Sequence, residues 1–178
     1  MVKSSKEASI SGSRGADDHV CDPPHACLGC LARSGLAEEL TDDQVEALFK
    51  IVDVRRLSKG EVLISEGEYD DRLYAIARGE FEVTRGKKDD REVQLIRLHP
   101  GTITGELAFL DGLERTATVT AVEEGSCVIA LRRDGLESKL TEDPLLVYRL
   151  MRAILRSAHR TVGQMDATYL DVMRYIQG

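Results

Sequence analysis

From residue 61 to residue 98 the sequence runs in short apolar or alternating segments, 61–65, 73–77, 80–84 and 93–98, separated by Gly, Asp or Pro. Segments of that length with turn residues between them predict antiparallel strands folded into a roll. Gly60, Gly67, Gly79 and Gly101 are expected at turns that need positive φ. Upstream, Thr41-Asp-Asp-Gln44 has a capping-box pattern, and Val45, Leu48, Phe49 and Val52 follow at helical spacing. One amphipathic helix is expected from about residue 42 to 51. After Gly135-Leu136 a short helix should form, then a longer one opening near Pro144, a residue suited to a first turn. The fold class is therefore mainly β with flanking α: an antiparallel, jelly-roll-like β-roll with an N-terminal helix and C-terminal capping and dimer helices. The polar hairpin tip 86–90 and the turn at His99-Pro100-Gly101 carry no chemistry.

The stretch Ile103-Thr-Gly-Glu-Leu-Ala-Phe-Leu-Asp-Gly-Leu-Glu-Arg-Thr-Ala-Thr-Val-Thr-Ala121 reads as strand, turn, short helix, loop and strand. Gly105 permits a tight strand-to-helix turn, and residues 106–110 can form one helical turn whose free N–H groups favour an anion. Arg115 supplies a planar fork that matches two phosphate oxygens, and Glu106 can accept hydrogen bonds from a sugar hydroxyl. Opposite charges would then grip opposite ends of one ligand. The competing reading is a surface ion pair between Glu106 and Arg115 around a turn.

At these residues the sequence resembles the cyclic-nucleotide-binding family, whose phosphate-binding cassette runs Gly-Glu-Leu-Ala, a spacer, then Arg, a small residue, Ala and Thr. Gly105, Glu106, Leu107, Ala108, Arg115, Ala117 and Thr118 match that pattern. The resemblance implies that Arg115 pairs with a cyclic phosphate, Glu106 with the ribose 2′-hydroxyl, and the N–H groups near Leu107 and Ala108 with phosphate oxygens. Thr104 and Glu114 stand where the family usually has an aromatic residue and a proline. Thr116 resembles members that accept cyclic GMP, while many members that prefer cyclic AMP have Ala or Ser there, so either nucleotide is a candidate ligand. The Gly67-Glu68 turn, Leu73-Tyr74-Ala75-Ile76, Gly79 and Phe81-Glu-Val83 extend the resemblance. Asp143-Pro144, Arg149-Leu150, Thr161 and Leu170-Asp171-Val172 are similar in order and spacing to the dimer helix of the catabolite activator, and this implies that Thr161 approaches the nucleotide base.

Cys21, His25, Cys27 and Cys30 crowd into ten residues, and the two-residue gap of Cys27-Leu-Gly-Cys30 lets both sulfurs face one metal. Oxygen sensors of the catabolite-activator family resemble this arrangement, with a Cys-rich segment before the β-roll and a further Cys within it, here Cys127. Their gaps run two then five residues, whereas here the order is five then two. An Fe–S cluster or zinc on Cys21, Cys27, Cys30 and Cys127 is one expectation; thiols without a metal are the other.

Val147, Met151, Ile154, Ala158, Thr161, Met165, Tyr169, Val172 and Ile176 form a coiled-coil-like seam interrupted by Gly163. Part of it must cover the roll, and the rest predicts a homodimer. The organisation expected is a flexible Cys-containing arm over 1–35, the β-roll over 36–143, and a helical lid and dimer element over 144–178. A net charge of −7 and a pI near 5.2 argue against nonspecific binding to nucleic acid or anionic membrane. No apolar run approaches the roughly 18 residues of a membrane span, and the start lacks a signal-peptide core. A cytoplasmic protein without membrane insertion is expected. The family's helix-turn-helix would follow the Leu-Asp-Val region, but the chain ends at Gly178, so no direct DNA binding is expected. No catalytic triad or catalytic carboxylate pair is present, and an enzyme is not expected. The leading reading is a stand-alone cyclic AMP or cyclic GMP sensor that signals by repacking its C-terminal helix. The alternatives are a redox or metal sensor, and an empty docking module for an unidentified effector protein.

Overall fold

The computed structural model describes residues 28–88 and 91–177, with side chains described for 28–86 and 94–163. Cys21, His25 and Cys27, residues 89 and 90 of the hairpin tip, and the side chains of Met165, Tyr169, Val172 and Ile176 lie outside the described residues.

Among the described residues, eight strands form two antiparallel four-stranded sheets. The first sheet has the order β1 (Val52–Leu57), β8 (Ser126–Arg132), β3 (Arg72–Arg78), β6 (Ile103–Thr104). The second has the order β2 (Val62–Ile64), β7 (Thr118–Ala121), β4 (Phe81–Lys88), β5 (Arg91–Leu98). The helices are α1 (Leu28–Ala32), α2 (Asp42–Phe49), α3 (Glu106–Asp111), α4 (Arg133–Glu137) and α5 (Pro144–Gln177), with a 3-10 turn at Gly35–Ala37.

The first sheet is the middle layer. Side chains alternate across a strand, so Leu73 and Ala75 of β3 and Cys127, Ile129 and Leu131 of β8 face one core with Leu31, Leu48, Leu146 and Leu150 of the helices. Tyr74 and Ile76, with Val128 and Ala130, face the other core against Phe81, Val83 and Val119 of the second sheet. Both faces of β3 and β8 are covered, which accounts for the unbroken apolar run Cys127-Val-Ile-Ala-Leu131.

Three sequence expectations change. Val52, read as the last residue of a helical stripe, opens β1, and helix α2 stops at Phe49. In β1 the residues Val52 and Val54 turn toward the helical core while Asp53 and Arg55 turn outward, a period of two that overrides the period of three or four running into it. The arm expected to be flexible to residue 35 contains α1 and the start of the 3-10 turn, with Leu31 and Leu36 fully buried. The Gly35 amide donates to Gly101 O at 2.9 Å, so this segment closes one end of the roll. The C-terminal seam divides: Val147 and Ile154 pack on the roll with Leu146, Leu150 and Ala153, while Met151 is exposed. Gly163 does not interrupt α5, which is one helix of 34 residues.

Gly79 has φ +79, and a side chain there would meet Ser126, with its Cα 3.0 Å from the added Cβ. Gly79→Ala is expected to cost about 1–3 kcal/mol of stability, read as a lower midpoint of denaturant unfolding with unchanged slope.

Candidate functional site

Gly105 adopts the left-handed conformation (φ 80, ψ 13) that turns β6 into α3. The same residue must also lack a side chain for reasons of space, because a Cβ would come within 2.5 Å of Arg115 Nη1. Arg115 follows the α3 loop, and its backbone is pinned to the turn after β2: its amide donates to Glu68 O (2.8 Å) and its carbonyl accepts from Gly67 N–H (2.9 Å). Its guanidinium is thereby directed inward, and the residue is only 3% exposed.

A buried guanidinium needs acceptors. Nη1 donates to Gly105 O at 2.7 Å, and Nη2 donates to Asp70 Oδ2 at 3.0 Å and Arg72 O at 2.5 Å. Nε is buried with no acceptor. The Tyr74 hydroxyl donates to the same Asp70 oxygen at 2.9 Å. Burial pushes the Asp70 carboxyl up, but Tyr74 and Arg115 together hold it below the usual carboxylate range. Burial and the neighbouring carboxylate raise the Tyr74 phenol to about 12, so it remains a donor.

Glu106, the first residue of α3, is also buried. Burial raises its pKa against the opposing pull of its own amide, the Arg115 charge and the Thr161 hydroxyl. Thr161 on α5 donates its hydroxyl to the Ser157 carbonyl at 3.1 Å and stands beside the Glu106 carboxyl in the same cavity.

Gly105, Glu106, Leu107, Ala108, Arg115, Thr116, Ala117 and Thr161 all line one cavity. Thr161 sits at its Glu106 end. The surface ion pair considered from sequence is replaced by a different arrangement: Glu106 and Arg115 are both buried, and the hydrogen-bonded carboxylate partner of Arg115 is Asp70. Sequence reasoning missed Asp70 and Tyr74, and missed the apolar wall of Ile64, Val83, Ile96 and Leu98 from the second sheet. The alternation within β4 and β5 was the available signal for the wall, since it puts successive side chains on known faces.

Cys30 and Cys127 are both buried in the helical core. Among the described residues no group of three His, Cys, Asp or Glu side chains could hold a metal, and neither an Fe–S cluster nor zinc finds support. No helix among the described residues is long and apolar enough to cross a membrane.

A β-roll with a short helix and a buried arginine around an apolar-walled cavity defines a binding domain for a small anionic ligand. The chain belongs to the cyclic nucleotide-binding domain family, whose model matches residues 54–143. It is 32% identical over 143 residues to the CRP-like cAMP-activated global transcriptional regulator of Mycobacterium tuberculosis, an overlap of 80% of this chain and 63% of that one. The chain thus spans less than two thirds of that relative. The N-terminal domain of a transcriptional regulator from Streptomyces coelicolor superposes with a TM-score of 0.65 at 33% identity, covering 76% of this chain and 94% of that one. A cyclic nucleotide-binding domain from Methylobacillus flagellatus shares the fold, with a TM-score of 0.71 at 22% identity and 81% of each chain covered.

Proposed function

We propose that this chain is a regulatory sensor for cyclic AMP or cyclic GMP, without catalytic activity of its own, that works as a homodimer. The observation that carries this reading is the buried Arg115, whose Nε has no acceptor and which lines one cavity with Glu106. A cyclic phosphate supplies the missing acceptor, the N–H groups of Leu107 and Ala108 at the start of α3 add donors, and the ribose 2′-hydroxyl donates to Glu106. The apolar wall covers the base. Thr116 follows the arginine and offers a hydroxyl to a guanine. Because Thr161 of α5 lines the cavity beside Glu106, a ribose bound to Glu106 also meets α5, and that difference in contacts is what allows ligand to shift the helix. Titration calorimetry of cyclic AMP and cyclic GMP into the whole chain tests the reading; no saturable heat from either nucleotide would sink it.

The raised pKa of Glu106 sets the pH dependence. Folding favours its protonated form, so this carboxyl's contribution to stability is full below the unfolded pKa and is lost as pH rises through the folded pKa. Ligand acts in the opposite direction, since a ribose hydroxyl donates to the ionised form. Binding is therefore expected to release a proton and to weaken as pH falls through the raised pKa. Glu106→Gln should lose about 1.5–3 kcal/mol of binding at neutral pH and flatten the pH profile. Calorimetry at neutral and mildly acidic pH reads both, and a wild-type affinity that does not change with pH would contradict this role for Glu106.

A further inference from the structure

Helix α3 has six residues and no side-chain cap at its start. So short a helix is unstable alone and must be held from outside. Its N-terminal side is held by Arg115 through Gly105 O. Its C-terminal side is held by a residue with no part in the site described so far. Arg133, the first residue of α4, donates from Nε to Phe109 O and from Nη2 to Ala108 O, each at 2.9 Å, and its guanidinium carbon stands 6.0 Å from the centre of the Phe109 ring. Ala108 O also accepts from Gly112 N–H at 3.0 Å. The last carbonyls of a helix lack intrahelical partners and carry the negative end of its dipole, so a two-pronged cation there both caps and complements it. The Arg133 amide donates to Asp71 O at 3.0 Å, next to the Asp70 that holds Arg115. Two arginines therefore bracket α3, and both are referenced to the Asp70-Asp71 turn.

We infer that Arg133 is a positioning residue: it holds α3 where its leading N–H groups and Arg115 meet a phosphate, and it ties any movement of α3 to the α4 segment that leads into α5. Arg133 does not line the ligand cavity. Its effect on the ligand, which rests on the nucleotide reading of the pocket, passes through the helix it caps. The C-terminal end of α3 cannot shift without breaking two charge-assisted hydrogen bonds or carrying the start of α4 with it.

Hydrogen exchange and calorimetry on the full chain, with Arg133→Ala and Arg133→Lys, test this. Without ligand, Arg133→Ala should speed exchange at the amides of Phe109 and Gly112 and leave β3 and β8 at wild-type rates. Nucleotide should bind Arg133→Ala more weakly, on the order of fivefold. It should still protect α3 but no longer alter exchange across 133–143. Arg133→Lys keeps the charge but not the fork, and should fall between the two. Wild-type exchange at α3 in Arg133→Ala would overturn the inference, as would faster exchange spread evenly over the sheets. If wild type binds neither nucleotide, the reading of the pocket fails, and the ligand-free exchange still decides whether Arg133 holds α3.

Discussion

Replacing Arg115 with Ala is expected to weaken nucleotide binding by about 2–5 kcal/mol, at least roughly thirtyfold, the range found when one partner of a buried hydrogen-bonded charge pair is truncated. The guanidinium has three acceptors already, and they explain why the loss should be so large. Gly105 O, Arg72 O and Asp70 hold the plane of the group, so the guanidinium is already oriented when a phosphate arrives. The substitution also removes a buried charged donor from Asp70, which keeps Tyr74 and Arg72, and stability should fall along with affinity. A second change separates the two effects. Arg115→Lys keeps a cation near Asp70 and most of the volume, but its donors radiate from one compact point and cannot reproduce the planar fork that holds Gly105 O and Asp70 through separate nitrogens. It should therefore restore much of the melting temperature and little of the affinity. Wild-type affinity in a well-folded Arg115→Ala protein, measured by calorimetry, would remove Arg115 from the site.

How much of this was legible before the structure differs from one part of the chain to the next. The cassette residues could be read because their chemistry is local: a glycine, a carboxylate and a guanidinium within eleven positions, on one turn and one short helix. The partner of Arg115 could not, because Asp70 is 45 residues away in sequence and reaches it through the fold. An aspartate two residues before a strand looks like turn punctuation, and only the packing of the β2–β3 turn over the arginine reveals its other role. Strand β1 was hidden for a different reason. Its valines continue the apolar spacing of the preceding helix, and its three charged residues weaken the strand signal. Leu31 and Leu36 lie in a segment that begins polar and unpatterned, and burial there depends on the roll offering an uncovered edge near Gly101. Composition says nothing about that edge.

The C-terminal helix shows the same limit and also supplies the second large expected effect. Sequence spacing placed Val147, Met151 and Ile154 on one seam, but the roll takes Val147 and Ile154 and leaves another stripe outside. Tyr148, Met151, Leu155 and Val162 are 58%, 37%, 65% and 55% exposed. Tyr148, Leu155 and Val162 are seven residues apart, with Met151 three after the first, the a and d spacing of a two-stranded coiled coil. Ala158, Met165, Tyr169, Val172 and Ile176 continue the same two positions in sequence. A second copy of the chain presents an identical stripe, and two such helices side by side cover both by one symmetry operation. We expect a dimer in sedimentation equilibrium, and a monomer when Leu155 and Val162 are both changed to Arg. Burial of each large apolar side chain is worth about 1.5–3 kcal/mol, it is counted twice in a symmetric pair, and the introduced charges repel across it. Because these side chains point away from the roll, the double variant should melt cooperatively with its β core intact. Monomeric wild type across the micromolar range would refute the dimer. A dimer that survives both substitutions would instead place the interface on another face of the molecule.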